Sequence, residues 1–239
     1  MEKNISKTRS FSAVDEGLRQ YMIKVYNFMA GGLCVTALAA YLTVNTPLLR
    51  MFFSPTPQGM MMNGLGWIAL FAPLALVFVF NGLIAKGTPK QVQIAFWVFS
   101  AVMGISIAPI LLVYTQDSIA RIFLITAAMF GGLSIYGYTT KKDLTGIGSF
   151  MYMGVIGLVI ASIVNIFMQS SALYYAMSYI AVVVFTVLTA YDTQKIRDMY
   201  SSYDESDNIT KKAIAGALSL YLDFINLFLA LLRLFGDRR

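Results

Sequence analysis

The chain has 239 residues, 58% hydrophobic and only 13% Asp, Glu, Lys or Arg, with a mean hydropathy of +0.68; soluble domains carry about 25% charged residues, so a water-soluble fold is excluded. Histidine is absent and cysteine occurs once, at Cys34, which excludes Ser-His and Cys-His catalysis, histidine haem ligation, the usual zinc sites and an intramolecular disulfide. The net charge of +6 sits in short clusters beside apolar runs, so its counter-charge is the anionic headgroup of the lipid bilayer and not nucleic acid.

Residues 1–20 (MEKNISKTRSFSAVDEGLRQ) are polar, without an apolar period long enough to bury, and read as a cytoplasmic tail before a single membrane domain over 21–236. A bilayer crossing needs about 20 apolar residues, and 25–44 is the first candidate. Leu33 to Leu42, with Ala37-Leu38-Ala39, has features of a signal peptide, but the long polar stretch before it and the continuing run favour an uncleaved helix. Pro47, Pro55, Pro57 and Gly59, followed by Met60, Met61 and Met62, predict irregular backbone near the interface. Methionines can hold soft metals, but a greasy interfacial turn is the simpler reading.

Further candidate spans are 67–85, 92–114, 122–138, 148–168, 173–191 and 213–232, giving an all-α, seven-helix integral membrane protein. The fifth and sixth share 144–191, 48 residues without a single Asp, Glu, Lys or Arg, and Asn165, Gln169, Ser170 and Ser171 mark the break. Pro73 and Pro109 fall inside spans, where proline frees a carbonyl and can kink a helix. Gly31, Gly32, Gly104, Gly131, Gly132, Gly154 and Gly157 suit close helix packing in lipid.

Charge bias sets orientation. With the amino terminus inside, the cytoplasmic side holds Lys3, Lys7, Arg9, Arg19, Lys24, Lys86, Lys90, Lys141, Lys142, Lys195, Arg197, Lys211 and Lys212. The other side holds Arg50 and Arg121, joined by Arg233, Arg238 and Arg239 if the last segment crosses fully. Length favours crossing; charge favours a re-entrant segment that returns the last three arginines to the cytoplasm.

A carboxylate at mid-membrane costs about 2.5 to 3.5 kcal/mol on insertion scales, so such residues are functional candidates. Asp223 lies eleventh in the run 213–232, roughly 15 Å of helix from either end, with Ser219 at i−4 and Asn226 at i+3 on the same face. Asp192 closes the sixth span, with Thr189 one turn before it and Lys195 one turn after. Alone, it reads equally well as a helix-end aspartate paired with Lys195. Antiparallel packing of the last two helices would bring it towards Asp223. Two carboxyls meeting in a low dielectric would hold one proton between them and titrate as a unit. Paired hard oxygens also suit Ca²⁺, so protons and calcium would compete at Asp192 and Asp223.

The run Leu218-Ser219-Leu220-Tyr221-Leu222-Asp223-Phe224-Ile225-Asn226-Leu227-Phe228, with Leu232-Arg233-Leu234-Phe235-Gly236 beyond it, resembles the last segment of the Bax inhibitor-1 family, most closely its bacterial YccA branch. Tyr191-Asp192-Thr193-Gln194, Gly104-Ile105-Ser106-Ile107-Ala108-Pro109-Ile110 and Lys142-Asp143-Leu144-Thr145-Gly146-Ile147-Gly148 extend the resemblance over about 25–236. It implies a seven-helix bundle with a central last helix in the inner (cytoplasmic) membrane of a bacterium, without enzymatic activity or cofactor. It also implies a di-aspartyl sensor at Asp192 and Asp223 gating a proton-sensitive leak of calcium or another cation. Eukaryotic relatives are associated with suppression of cell death. Some prokaryotic relatives latch one aspartate with a basic residue at the end of the second helix; Lys86 is the candidate here, though lysine lacks arginine's bidentate fork. Some bacterial members bind a membrane-anchored AAA protease, a contact residues 1–20 could serve, which leaves a regulatory protein as the alternative. An intramembrane aspartyl protease would share the element Tyr191-Asp192, but Leu220-Tyr221-Leu222 precedes Asp223 where such an enzyme has a glycine turn.

Overall fold

A computed structural model describes residues 2–56 and 59–239, and the side chains of 16–54 and 61–239. Its elements are α1 (Glu2–Asn45), α2 (Leu49–Phe52), β1 (Phe53–Thr56), β2 (Gly59–Met62), α3 (Gly64–Lys86), α4 (Pro89–Ile107), α5 (Ile110–Val113), α6 (Gln116–Thr139), α7 (Thr145–Met168), α8 (Ser171–Asp198) and α9 (Ser206–Phe235). Seven stretches among them are long and apolar enough to cross a membrane: Glu16–Asn45, Gly64–Lys86, Pro89–Val113, Gln116–Thr139, Thr145–Met168, Ser171–Asp198 and Ser206–Phe235. Each contains or nearly contains one of the expected spans. In the last, 72% of the most apolar window is buried, against 33% or less in the others.

The chain divides into two compact units. One takes in the chain up to Ala108 together with Ile196–Leu218; the other comprises Pro109–Lys195 and Ser219–Arg239.

In the first unit α1 packs on α4 through small residues. A Cβ at Gly32 would meet the ring of Phe96, and one at Gly104 would run into the carbonyl of Thr36. The Thr36 hydroxyl donates to the carbonyl of Ser100 at 2.9 Å, tying the same two helices. Thr88 and Gln91 cap α4 reciprocally, with Pro89 at its first turn, where a missing N–H costs nothing. Near the start of α9, Lys24 donates to Thr210 at 2.7 Å, and Lys212 reaches Asp204 at 2.6 Å and the carbonyl of Met199 at 3.0 Å.

Two differences from expectation fall here. The polar stretch before the first span has helical backbone from Glu2, continuous with the crossing itself. The methionine-rich segment is a short antiparallel hairpin, Phe53 pairing with Met62 and Thr56 with Gly59, and not irregular backbone; Pro57 lies outside the described residues. Asn63 closes it, its side chain donating to Met51 at 2.9 Å and accepting from Gly66 at 3.0 Å.

In the second unit the Phe224 ring meets Phe123 and Phe130 edge-on, with centroids 5.3 and 5.5 Å apart. Gly137 lies so close to α8 that a Cβ there would strike the carbonyl of Ala190, and Gly148 lies against the ring of Tyr191. The expected break between the fifth and sixth spans occurs at Gln169, which adopts φ 50°. Its N–H donates to Asn165 at 2.8 Å, and the Asn165 side chain accepts from Ser170 at 3.0 Å. Pro109 does interrupt its helix, separating α4 from α5, whereas Pro73 is absorbed within α3.

The last segment is one unbroken helix, Ser206–Phe235. After α9 the chain turns onto the α5–α6 junction: Thr115 donates to the carbonyl of Asp237 at 3.0 Å, and Arg239 to that of Val113 at 2.9 Å. Arg121 pairs with Asp237 at 2.7 Å. At the other end of this unit, Gln194 of α8 binds the α6–α7 loop through Lys142 and Leu144. A helix of 30 residues spans roughly 45 Å, a length sufficient for a full crossing.

Candidate functional site

The two aspartates belong to the second unit. Asp192 is 3% exposed and Asp223 5% exposed. Asp192 is carried by α8 and Asp223 by α9. Their surroundings differ. The Tyr152 hydroxyl, from α7, donates to Asp192 at 2.9 Å on Oδ1 and 3.2 Å on Oδ2. Asp223 Oδ2 is buried without a hydrogen-bond partner among the described residues.

Tyr152 was not singled out in the sequence, because a phenol within an uncharged run gives no periodic or charge signal. Its placement follows from the Tyr191-Asp192-Thr193-Gln194 element, in which each side chain has a task. Tyr191 fills the space over Gly148. Thr193, fully buried, donates to the carbonyl of Thr189 at 2.8 Å. Gln194 accepts from the N–H of Leu144 and donates to the carbonyl of Lys142, both at 2.8 Å. These contacts fix the start of α7 against α8, and Tyr152 lies two turns along α7.

The other expected residues are placed less directly. Lys195 forms no ion pair among the described residues; its Nζ stands 5.8 Å from the Tyr152 ring centroid and 5.9 Å from that of Tyr191. Thr189 donates to the carbonyl of Phe185 at 2.7 Å, and Asn226 to that of Leu222 at 2.8 Å. Both thus serve the carbonyl four residues back in their own helix, the usual outlet for such side chains. Ser219 is half-buried on α9. Lys86 closes α3 in the first unit with its side chain exposed. Among the described residues no group of three or more acidic or cysteine side chains could hold a metal ion.

A seven-span helical membrane protein with a buried aspartate pair is thus the class that sequence and coordinates define together. The family model described as "Inhibitor of apoptosis-promoting Bax1" matches residues 18–239, and the chain belongs to the Bax inhibitor-1 family. It is 46% identical to the inner membrane protein YbhL of Escherichia coli (strain K12), over 93% of this chain and 94% of YbhL. It is 45% identical to an uncharacterized protein of Rickettsia prowazekii (strain Madrid E), over 99% of this chain and 98% of that protein. An uncharacterized membrane protein of Streptococcus pyogenes serotype M6 is 36% identical over 95% of this chain and 96% of its own length.

Proposed function

We propose that this protein is a proton-responsive leak pathway for calcium or a similar cation, channel or exchanger, with Asp192 and Asp223 as its sensor. The observation that carries the reading is two buried carboxyls in one compact unit, one supplied with a donor and the other with an oxygen left without a partner among the described residues. Two anions there would repel at low dielectric, and a proton held between them removes the repulsion. Donation from Tyr152 to both oxygens of Asp192 suits charge on that residue and leaves Asp223 as the place for the proton. A hard cation competes for the same oxygens. Two carboxylates without a third acidic ligand offer a passing contact and not the six to eight oxygens of a closed calcium site, so calcium is cargo in this reading. The amino terminus is cytoplasmic, by the bias of lysine and arginine, and the membrane is the bacterial inner membrane.

The test is flux. Purified protein in liposomes passes Ca²⁺ faster than empty liposomes do, with a pH dependence that Asp192→Asn and Asp223→Asn each change. Lys86→Gln tests the latch: unchanged flux removes Lys86 from the scheme. No flux above the empty-liposome rate overturns the channel reading and favours a regulator of a membrane-anchored AAA protease, its aspartates serving only to lock the helices. An intramembrane aspartyl protease is disfavoured because α9 runs unbroken through Asp223.

A further inference from the structure

We infer that Arg233 and Arg238, held over Tyr174 and Tyr114, form a binding site for the phosphate of an anionic phospholipid headgroup. Beyond Phe235 the chain is not left loose. The backbone of Asp237 and Arg239 is bonded to Thr115 and Val113, and the N–H of Asp237 donates to the buried Ser118 hydroxyl at 2.9 Å. Arg238, between them, is therefore fixed. Its guanidinium carbon lies 5.9 Å from the Tyr114 ring centroid, and Arg233 lies 5.7 Å from that of Tyr174. Tyr114 and Arg238 also pair through their backbones as an isolated antiparallel bridge, which holds Arg238 beside that ring.

The charge at this end is uneven. Asp237 is consumed by Arg121 at 2.7 Å. Arg233 and Arg238 have no carboxylate partner among the described residues, and both are exposed. A guanidinium held beside a ring can still turn N–H groups towards an oxyanion. Prior fixation means that little side-chain freedom is left to lose on binding.

The location selects the anion. The cluster lies where a crossing helix ends, beside tyrosines, which mark the membrane–water interface. It also lies on the side where charge bias expects few basic residues, so its arginines call for a local counter-charge. Lipid phosphate is the anion present at that depth. Phe235, at the same helix end, is 57% exposed, offering an apolar surface to the acyl chains below a bound headgroup.

The experiment is native mass spectrometry of the full chain from mixed phosphatidylglycerol and phosphatidylcholine micelles. The wild type is expected to retain phosphatidylglycerol preferentially. The preference should fall about thirtyfold in Arg233→Gln/Arg238→Gln, roughly fivefold for each arginine lost, and persist in Arg50→Gln. An unchanged preference in the double variant overturns the proposal. So does displacement of the lipid by millimolar glycerol phosphate or inorganic phosphate, which would mark a site for free anions. A melting temperature equal to that of the wild type in phosphatidylcholine shows that the double variant is folded. Should it fail to fold, the single variants are measured instead, and no loss in either refutes the site.

Discussion

The hydroxyl of Tyr152 bridges both oxygens of Asp192 from a side chain that is itself 39% exposed. Its ring faces outward while its tip reaches a carboxyl that is 3% exposed, the division of labour expected of an amphipathic phenol. Tyr152→Phe keeps the ring and deletes the donor. Hydrogen bonds to a charged group contribute about 1.5 to 3 kcal/mol, and a loss of that order is expected as a lower melting temperature in detergent. Tyr179→Phe, at a 59% exposed ring on α8, is the control and should change little. Equal melting temperatures for the two variants would remove Tyr152 from the site.

Gly137 and Gly131 lie on the same helix and make opposite predictions. A methyl at 137 meets the backbone of Ala190, whereas one at 131 meets nothing within 4 Å. Backbone cannot turn aside as a side chain can, so Gly137→Ala is expected to cost about 1 to 3 kcal/mol through overpacking. Gly131→Ala should be neutral or slightly stabilising, since alanine is the better helix former. Thermal unfolding of the two variants side by side tests the contrast.

Gln194 supplies both bonds that hold the α6–α7 loop to α8. Gln194→Leu leaves the buried N–H of Leu144 without its acceptor, at about 1 to 3 kcal/mol. The expected readout is local as well as global: trypsin should cut faster after Lys141 and Lys142 in the variant. Unaltered cleavage would show that the loop is held by other means.

Asp143 gives a pH prediction outside the membrane. Hydrogen bonds from Thr145, its N–H donating to Asp143 Oδ1 at 2.9 Å, hold this exposed carboxyl below the ordinary carboxylate value. A group depressed on folding contributes its stabilisation above its unfolded value and loses it as pH falls through the folded one. The Thr145 amide should therefore be protected from hydrogen exchange at neutral pH and lose protection on acidification below about pH 4, after correction for intrinsic rates. Asp143→Ala should lack that protection throughout.

Gln169, at φ 50°, occupies a backbone region that L residues enter at about 1 to 2 kcal/mol. Gln169→Gly should be tolerated or stabilising, and Gln169→Val destabilising, because a β-branched side chain fits that region worst. The ordering of the two melting temperatures is the test.

The seven crossings were legible because the apolar runs are separated by charges, and their ends were not. Lys195 to Asp198 and Ser206 to Lys212 are charged or polar yet helical, since a helix can continue past the lipid into the headgroup region where hydropathy falls silent. Asp192 and Asp223 were legible as charges in the wrong solvent. Of their polar neighbours, Thr189 and Asn226 share the expected faces and each donates to a carbonyl of its own helix, a partner that spacing alone does not reveal. Tyr152 could be found only through the fold, because its partner lies 40 residues away. The course of the last segment turned on a question that charge and length answered differently. Two residues after the helix, Asp237 and Arg239, bond to a junction far away in sequence, which neither charge nor length foretold.

The seam between α1 and α4, where a glycine faces a carbonyl and a threonine bridges to the opposite backbone, has no room for even a methyl group at Gly104. An acyl chain does not fit at that contact, and rotation of one helix against the other there would break the Thr36 bond. On the leak proposal, the cation's route would lie elsewhere, with these two helices serving as a wall and not as a door.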